Sequence, residues 1–516
     1  MPQATARVVR MFAQRHAMQN LARSSSLPPP PSAPAPSTPA SSAPAPFYAS
    51  HQKIYPKAAR GRFRRIKSAL MVSLLALFML LPWLRWDRGT GLPNQAILFD
   101  LDSQRFYLFA LELWPQHIYY LTGAMILAAV GLFLATALAG RVWCGYTCPQ
   151  TVWTDLYVKV EEWIEGDRGA RIRLDNGPRN AGWLAKKAAK HAVWLLIALV
   201  TGASALFYFV DAPGYVADLL RFQPGPVATG WILFMSACTY AMAGFMREQM
   251  CVYVCPWPRI QAALLDDESL TVTYQDWRGD GRAPLRKEQS WTERSAEGLG
   301  DCIDCKACVQ VCPTGIDIRD GLQMDCISCG LCIDACDDVM GRIGRPGGLI
   351  RYDTQSAQEA KAVARKPEPY RLVRPRTIIY SLVMLVVGGM MTLGVLLEPT
   401  VDVSVLRDRA PLYVTLSDGA IQNSYTVKIS NMTRAPQGYR LTVSAPRGAT
   451  VTAAGSGAAG GAAPVLGAEP DTVQTHRVHV RAPAGAAVAG STPLTLTLTR
   501  LSDGVVHHAE TVFLAP

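Results

Sequence analysis

Eight of the chain's 13 cysteines form two runs, Cys302, Cys305, Cys308, Cys312 and Cys326, Cys329, Cys332, Cys336, each spaced C-x2-C-x2-C-x3-C. Three thiolates on one tight loop reach three corners of a 4Fe-4S cubane, and the fourth cysteine of each run is directed at the other cluster. On that pattern Cys302, Cys305, Cys308 and Cys336 ligate one cluster, and Cys312, Cys326, Cys329 and Cys332 the other. The chemistry is one-electron transfer. Structural zinc prefers two C-x2-C knuckles well separated in sequence, which fits two dense runs poorly. A disulfide framework is the weakest rival, because iron–sulfur assembly belongs to a reducing compartment. Pro313 follows the first run as the pattern expects, whereas Asp337 stands where the second proline would be, which should change a turn and add negative charge beside a cluster.

Four further cysteines recur in a second pattern. Arg141-Val-Trp-Cys144-Gly-Tyr-Thr-Cys148-Pro149 and Glu248-Gln-Met-Cys251-Val-Tyr-Val-Cys255-Pro256 both contain C-x3-C-P. If helix continues through the pair, residues four apart share a face. Proline favours the first turn of a new helix, so Cys148 and Cys255 are expected at helix starts, where the dipole lowers a thiol pKa. Soft thiolate and thioether donors select Cu(I) and related ions. Cys144, Cys148, Cys251 and Cys255 are therefore the candidate copper ligands and redox centre, with Met242, Met246 and Met250 extending the soft stripe. Plain core packing is the alternative for these methionines and for the lone Cys238. His191 is a candidate haem or copper ligand, with an interfacial histidine as the alternative.

These groups need elements to position them. Five apolar stretches have the roughly 20 residues that cross a bilayer as helix: Ser68 to Trp86, Ile118 to Leu138, His191 to Val210, Val227 to Met246 and Thr377 to Leu397. Lysine and arginine gather before the first, between the second and third, and before the fifth. That places the N-terminus and the iron–sulfur segment in the cytosol and the C-terminus outside. The net charge of +11 then belongs to membrane edges facing anionic lipid, with no need of a nucleic-acid partner. Eight aspartates between Asp301 and Asp338 make the iron–sulfur segment acidic, either as a docking face for a basic electron donor or as a solvated surface.

The stripe Trp153, Leu156, Tyr157, Val160, Trp163, Ile164, opposite Asp155, Lys159, Glu162 and Glu165, reads as an amphipathic helix, lying on the inner membrane face or against the soluble segment. The opening residues lack a secretory h-region, and Leu27 to Pro46 is a Pro/Ala/Ser tract. After Val401, short β-type runs separated by Gly, Pro and Ala clusters suggest about seven strands of an antiparallel, immunoglobulin-like sandwich. His476 and His479 point to opposite faces of one expected strand, as do His507 and His508, which disfavours a metal site there.

The expected organisation is a disordered arm over 1–50, four membrane helices with a cytosolic amphipathic loop over 51–250, a 4Fe-4S ferredoxin domain over 251–370, a fifth membrane helix over 371–398 and a periplasmic β-sandwich over 399–516. In class this is a polytopic α-helical membrane protein with a bacterial bicluster ferredoxin-like segment and a C-terminal all-β domain.

The run Gly140-Arg-Val-Trp-Cys144-Gly-Tyr-Thr-Cys148-Pro-Gln-Thr-Val-Trp-Thr-Asp155, the second C-x3-C-P, the bicluster segment and the terminal sandwich together resemble the CcoG (FixG/RdxA) family of cytochrome c oxidase accessory proteins, over roughly residues 50 to 516. The resemblance implies a bacterial inner-membrane protein that reduces Cu(II) to Cu(I) during assembly of cbb3-type cytochrome oxidase. Its partners would then be a cytosolic electron donor, a copper chaperone or copper-transporting ATPase, the oxidase subunits, membrane lipid and, where copper bridges two chains, a second copy in a homodimer. Two readings from other classes stay open: a quinol-linked electron conduit to another redox system, and an assembly scaffold whose sandwich docks oxidase subunits.

Overall fold

The structure, a computed structural model, describes residues 53–516 apart from 90, 398, 445–447, 455–462 and 486–489. The arm expected over 1–50 lies outside the described residues. Among the described residues five helices are long and apolar enough to span a membrane: Arg62–Trp83, Pro115–Ala139, Ala181–Leu206, Pro226–Val254 and Pro375–Leu396. They match the five expected spans; the first, third and fifth start among flanking charged residues, and the fourth runs on past Arg247 and Glu248.

Helix α1 (Arg62–Leu80) begins at Gly61 and draws its N-terminal cap from far along the chain. The Asp334 carboxylate accepts the N–H groups of Phe63 (3.1 Å) and Arg64 (2.7 Å), satisfying two donors that an isolated helix start leaves open. Next comes an antiparallel meander that sequence reasoning did not foresee, β1 (Ile97–Asp100), β2 (Arg105–Leu108) and β3 (Leu111–Leu113).

Helix α2 (Ile118–Ala139) stops at Gly140, whose φ of 60° and close approach to the Leu270 carbonyl require glycine. The short α3 (Val142–Tyr146) and the longer α4 (Pro149–Glu165) follow. Helix α5 (Ala181–Leu206) packs on α6 (Pro226–Ala241), with Gly202 against Ser236. Beyond α6 the span continues as two π-helical turns, Met242–Met246 and Met250–Val254, before α7 (Trp257–Leu264).

Helix α4 corrects the simple amphipathic picture. Tyr157 and Val160 pack with Trp194 of α5 as an apolar face should, but Trp163 is 79% exposed while Glu161 and Glu165 are buried. Ion pairs cause the inversion: Arg171 (3.1 Å), Arg247 (2.8 Å) and Lys190 (3.6 Å) surround Glu161, and Lys187 (2.9 Å) and Lys190 (3.1 Å) hold Glu165. Buried charge is tolerable only when paired in this way.

Strand β4 (Thr271–Tyr274) pairs antiparallel with β5 (Ile350–Asp353), and the two bracket the cysteine runs together with α8 (Ala307–Gln310) and α9 (Leu331–Arg342). Helix α10 (Pro375–Leu396) lies along α2, where Gly123 meets Met391 and Gly394 meets Tyr120, the close approach that small residues give membrane helices. At its start Arg374 binds Asp266 (2.9 Å) and the Ala137 carbonyl (2.6 Å). The cysteine-run segment therefore sits at one end of the membrane helices. At the opposite end Gln116 donates to Ser430 (3.1 Å) of the terminal domain.

That domain is a two-sheet sandwich. One sheet runs β10 (Thr450–Ala453), β12 (Thr472–Ala482), β8 (Ile421–Asn431), β6 (Val401–Arg407), with β7 (Val414–Thr415) on β8. The other runs β11 (Val465–Ala468), β9 (Gln437–Val443), β13 (Gly490–Arg500), β14 (Val506–Ala515). Alternate residues such as Tyr425, Val427, Ile429, Leu494, Leu496 and Leu498 form its core. Among the described residues nine strands replace the expected seven or so, because short pairings such as β10 with β12 lie among Gly- and Ala-rich segments without a strong strand pattern. His479 bonds Ser424 and His508 bonds Thr497, each spent inside a sheet.

Candidate functional site

Each cysteine run turns on left-handed residues at matching positions. Asp304 and Lys306 in the first loop have φ of 50° and 54°; Ser328 and Gly330 in the second have 52° and 72°. The repeated conformation wraps each C-x2-C-x2-C tightly enough to aim three thiols inward. Gly330 is also pressed on Phe63, which leaves no room for a side chain.

Two cavities result. The first, about 380 Å³, is lined by Cys302, Cys305, Cys308 and Cys336 with Tyr274, Arg319 and Met340. The second, about 350 Å³, is lined by Cys312, Cys326, Cys329 and Cys332, and Cys308 touches it too. The last cysteine of each run thus crosses to the other cavity. Tyr274 Oη is buried on the first wall with no nitrogen or oxygen partner and is hydrogen-bonded to the Cys302 thiol. Four thiols lining each cavity and largely apolar walls fit a 4Fe-4S group. Burial pushes the Cys326 thiol up to about 11 and the Cys308 and Cys336 thiols up to about 12, so metal binding must release protons.

Without a proline, α9 runs unbroken through Cys336 to Arg342, and the Asp337 carboxylate accepts the Gly348 N–H (2.7 Å). Most of the acidic patch is engaged within the chain: Asp301 binds Arg278 and Arg345, Asp304 and Asp317 clamp Arg319, and Asp334 caps α1. The segment therefore offers far less free acid than its sequence suggested.

The two C-x3-C-P units come together but differ in backbone. Cys144 lies in α3, buried, its Sγ donating to Gln261 Oε1 (3.0 Å), while Cys148 is the N-cap residue of α4. Cys251 lies in a π-helical turn, and Cys255 is extended ahead of Pro256. The π-turns and the break at Arg247, φ 39°, undo the spacing of four assumed for Met242, Met246 and Met250. Gln150 of α4 clasps the second unit by donating to the carbonyls of Met242 (2.9 Å) and Arg247 (3.1 Å).

Charge on Cys148, Cys251 and Cys255 is felt at Cys144, whose pKa goes up to about 12, chiefly by burial. Of the two thiols expected at helix starts, Cys148 stands at one and Cys255 lies just before the Pro256 cap of α7, whereas Cys144 sits inside α3. No three His, Cys, Asp or Glu side chains among the described residues converge on a single-ion centre. His191 is taken by Tyr240 Oη (2.8 Å) and stacks on Phe245, and Cys238 stays mid-helix in α6.

The first C-x3-C-P is docked directly on the second cavity. Cys144 and Cys329 share one buried cluster with Val311, Ile327 and Leu331. Tyr146 Oη donates to the Cys329 carbonyl (2.9 Å), and Arg141 donates to the carbonyls of Met324 and Cys326 (3.0 Å to the latter). At Gly145 an added Cβ would stand 2.6 Å from the Ile327 oxygen. The roles of Arg141, Gly145, Tyr146 and Gln150 were missed although they lie inside the recognised motif; Gln261 carried no sequence signal at all.

Comparison with known proteins follows the same division. Residues 246–355 match a 4Fe-4S dicluster domain family, 121–171 a 4Fe-4S binding domain family, and 391–516 the IG-like fold at the C-terminal of FixG. Protein RdxA of Cereibacter sphaeroides is 47% identical over 458 residues, covering 88% of this chain and 94% of that protein. Nitrogen fixation protein FixG of Rhizobium meliloti is 44% identical over 465 residues, covering 85% and 88%. The chain belongs to the FixG/RdxA family. Protein RdxB of Cereibacter sphaeroides, 45% identical over 470 residues and covering 90% and 97%, extends the same relation. This FixG/RdxA member is a membrane iron–sulfur protein of electron transfer. Within it, the 121–171 match contains only Cys144 and Cys148 as cysteines, too few to hold a cluster alone.

Proposed function

We propose that the chain delivers electrons through two 4Fe-4S clusters to copper, reducing Cu(II) to Cu(I) for assembly of a cbb3-type cytochrome oxidase. Cys302, Cys305, Cys308 and Cys336 hold one cluster, and Cys312, Cys326, Cys329 and Cys332 the other. When bound, the clusters supply one-electron transfer. The observation that carries the reading is the shared buried cluster of Cys144 and Cys329, which joins the membrane-edge thiols to the second cluster's loop. Cys305 is exposed, giving a cytosolic donor its point of entry. Some of Cys144, Cys148, Cys251 and Cys255 receive copper, and each ion accepts one electron. Thiolate ligation favours the reduced ion, so binding and reduction act in one direction. The arginine and lysine distribution supports a cytosolic side for this face and a periplasmic side for the sandwich, in a bacterial inner membrane. Cu(I) then passes to a chaperone or transporter.

The test is to replace the four membrane-edge cysteines by serine and measure copper binding and cupric reduction in protein that retains its iron and sulfide. Both should be lost; unchanged activity would remove these thiols from the pathway. A second reading, a quinol-linked conduit, is favoured by one cleft between α1, α4, Cys251 and Thr314. Cluster reduction by quinol in membranes, indifferent to copper, would support it over the first.

A further inference from the structure

The cleft between α1, α4 and the second C-x3-C-P unit joins two groups that the chemistry needs close together. Cys251 lines it on one side, and Thr314, Ile327 and Leu331 line it on the side of the second cysteine set. Ile327 and Leu331 adjoin Cys326 and Cys332 in the chain, and Thr314 Oγ1 lies 3.3 Å from the Cys312 sulfur. A molecule held there meets a membrane-edge thiol and the wall of the second cavity at once.

Five cations and three carboxylates line this cleft. Arg64 grips Asp155 through two bonds of 2.8 and 2.7 Å, Arg247 binds Glu161 at 2.8 Å, and Glu248 accepts from Gln249 at 3.4 Å. Lys67 is left over. It is 4% exposed, its ammonium makes no hydrogen bond among the described residues, and its nearest carboxylate oxygen is that of Asp155 at 3.8 Å, already held by Arg64. The Asp334 carboxylate is engaged by the N–H groups at the start of α1, and Cys329, which also feels the Lys67 charge, is not on the lining. Lys57 and Lys159 line the cleft with no ion pair among the described residues, and so does Glu162. Three lysines without a close carboxylate therefore meet one such carboxylate.

A buried ammonium without acceptors is costly until an anion completes it. It repels a hydrated Cu(II) dication and attracts an anionic complex. Nitrogen and oxygen donors hold Cu(II), whereas thiolates select Cu(I). We propose that this cleft is the substrate site and takes copper as an anionic, carboxylate-ligated Cu(II) complex, one carboxylate pairing with Lys67 and the metal facing Cys251. A neutral quinone ring would leave that ammonium unmatched. The inference deepens the copper reading and rests on it for the metal; the anion site itself rests on Lys67 and the lining.

The experiment is equilibrium dialysis of labelled, metal-free citrate against the full-length protein in phosphatidylcholine nanodiscs, with iron and sulfide quantified first. One citrate should bind per chain. Lys67→Met should weaken it about tenfold, as loss of a charge-assisted contact does, Lys159→Gln should weaken it less, and Lys67→Arg should keep it. In single-turnover oxidation of pre-reduced protein, Lys67→Met should raise the half-saturating concentration of Cu(II)–citrate by a like factor and should not raise that of a cationic Cu(II)–bipyridine complex. If Lys67→Met does not assemble, citrate binding by Lys67→Arg and Lys159→Gln decides the matter. Absence of citrate binding, or binding indifferent to these lysines, would overturn the site. So would displacement of citrate by phosphatidylglycerol in the disc, which assigns the cleft to a lipid headgroup, or by a short-chain quinone. Citrate bound through Lys67 whose Cu(II) complex is never reduced would leave the anion site standing and overturn the copper reading instead.

Discussion

The two C-x3-C-P units have nearly the same pattern and different surroundings. The first is regular, buried and anchored on the second cysteine run through Arg141, Gly145 and Tyr146. The second is π-helical, half-buried and held from the side by α4, through Gln150 and the pair of Arg247 with Glu161. A repeat in sequence has become a division of labour in space: one unit faces the electron supply and the other faces a cavity. The π-turns put an extra residue into each turn, a distortion that often accompanies functional sites.

The largest expected effect comes from removing the anchor of the second unit. Glu161→Gln leaves Arg171, Lys190 and Arg247 without their shared carboxylate and should cost about 3–5 kcal/mol, read as a lower thermal midpoint in detergent; an unchanged midpoint would mean that the second unit is not held this way. Burial raises the Glu161 pKa, but Arg247, Lys190 and Arg171 outweigh it and hold the carboxyl below its ordinary 4.5. A depressed carboxyl stabilises the fold above its unfolded pKa, so stability should fall as pH drops below about 4.5, and the Gln variant should lose that dependence.

Next in size is the anchor of the first unit. Gly145→Ala should cost about 1–3 kcal/mol by overpacking and reduce iron per chain, whereas Val252→Ala at the matching position should leave iron unchanged. Equal iron loss from both variants would erase the asymmetry. The thiols provide a finer probe in metal-free protein. Burial raises the Cys144 pKa from 9.0 to about 12, so the folded chain keeps a proton there that the unfolded chain gives up. Stability should decline as pH rises between those values, and Cys144 should be alkylated after Cys255; the reverse order in a mass-spectrometric time course would count against its burial. Smallest of all, Cys238→Ala, remote from both units, should change stability by less than about 0.5 kcal/mol.

The cysteine partition was legible because ligand spacing is local and each run repeats one loop. The five spans were legible because bilayer thickness sets their length. What the sequence hid depends on contacts across long separations. Gly145 on Cys329 and Gln261 on Cys144 join residues more than 100 positions apart, and no pattern of period 2 or 3.6 reports them. The π-turns were invisible because methionines four apart look the same whether or not the helix is regular. The meander of β1 to β3 escaped notice because its strands are three or four residues long.

The cap of α1 by Asp334 has a consequence for how the protein is made. The helix and its cap are 270 residues apart, so the first membrane segment is synthesised and inserted long before the residue that completes its start exists. Insertion must precede completion of the cysteine-run segment, and closing that segment around metal also finishes the first helix. Maturation of the iron sites and settling of the membrane domain are, at this aspartate, one event.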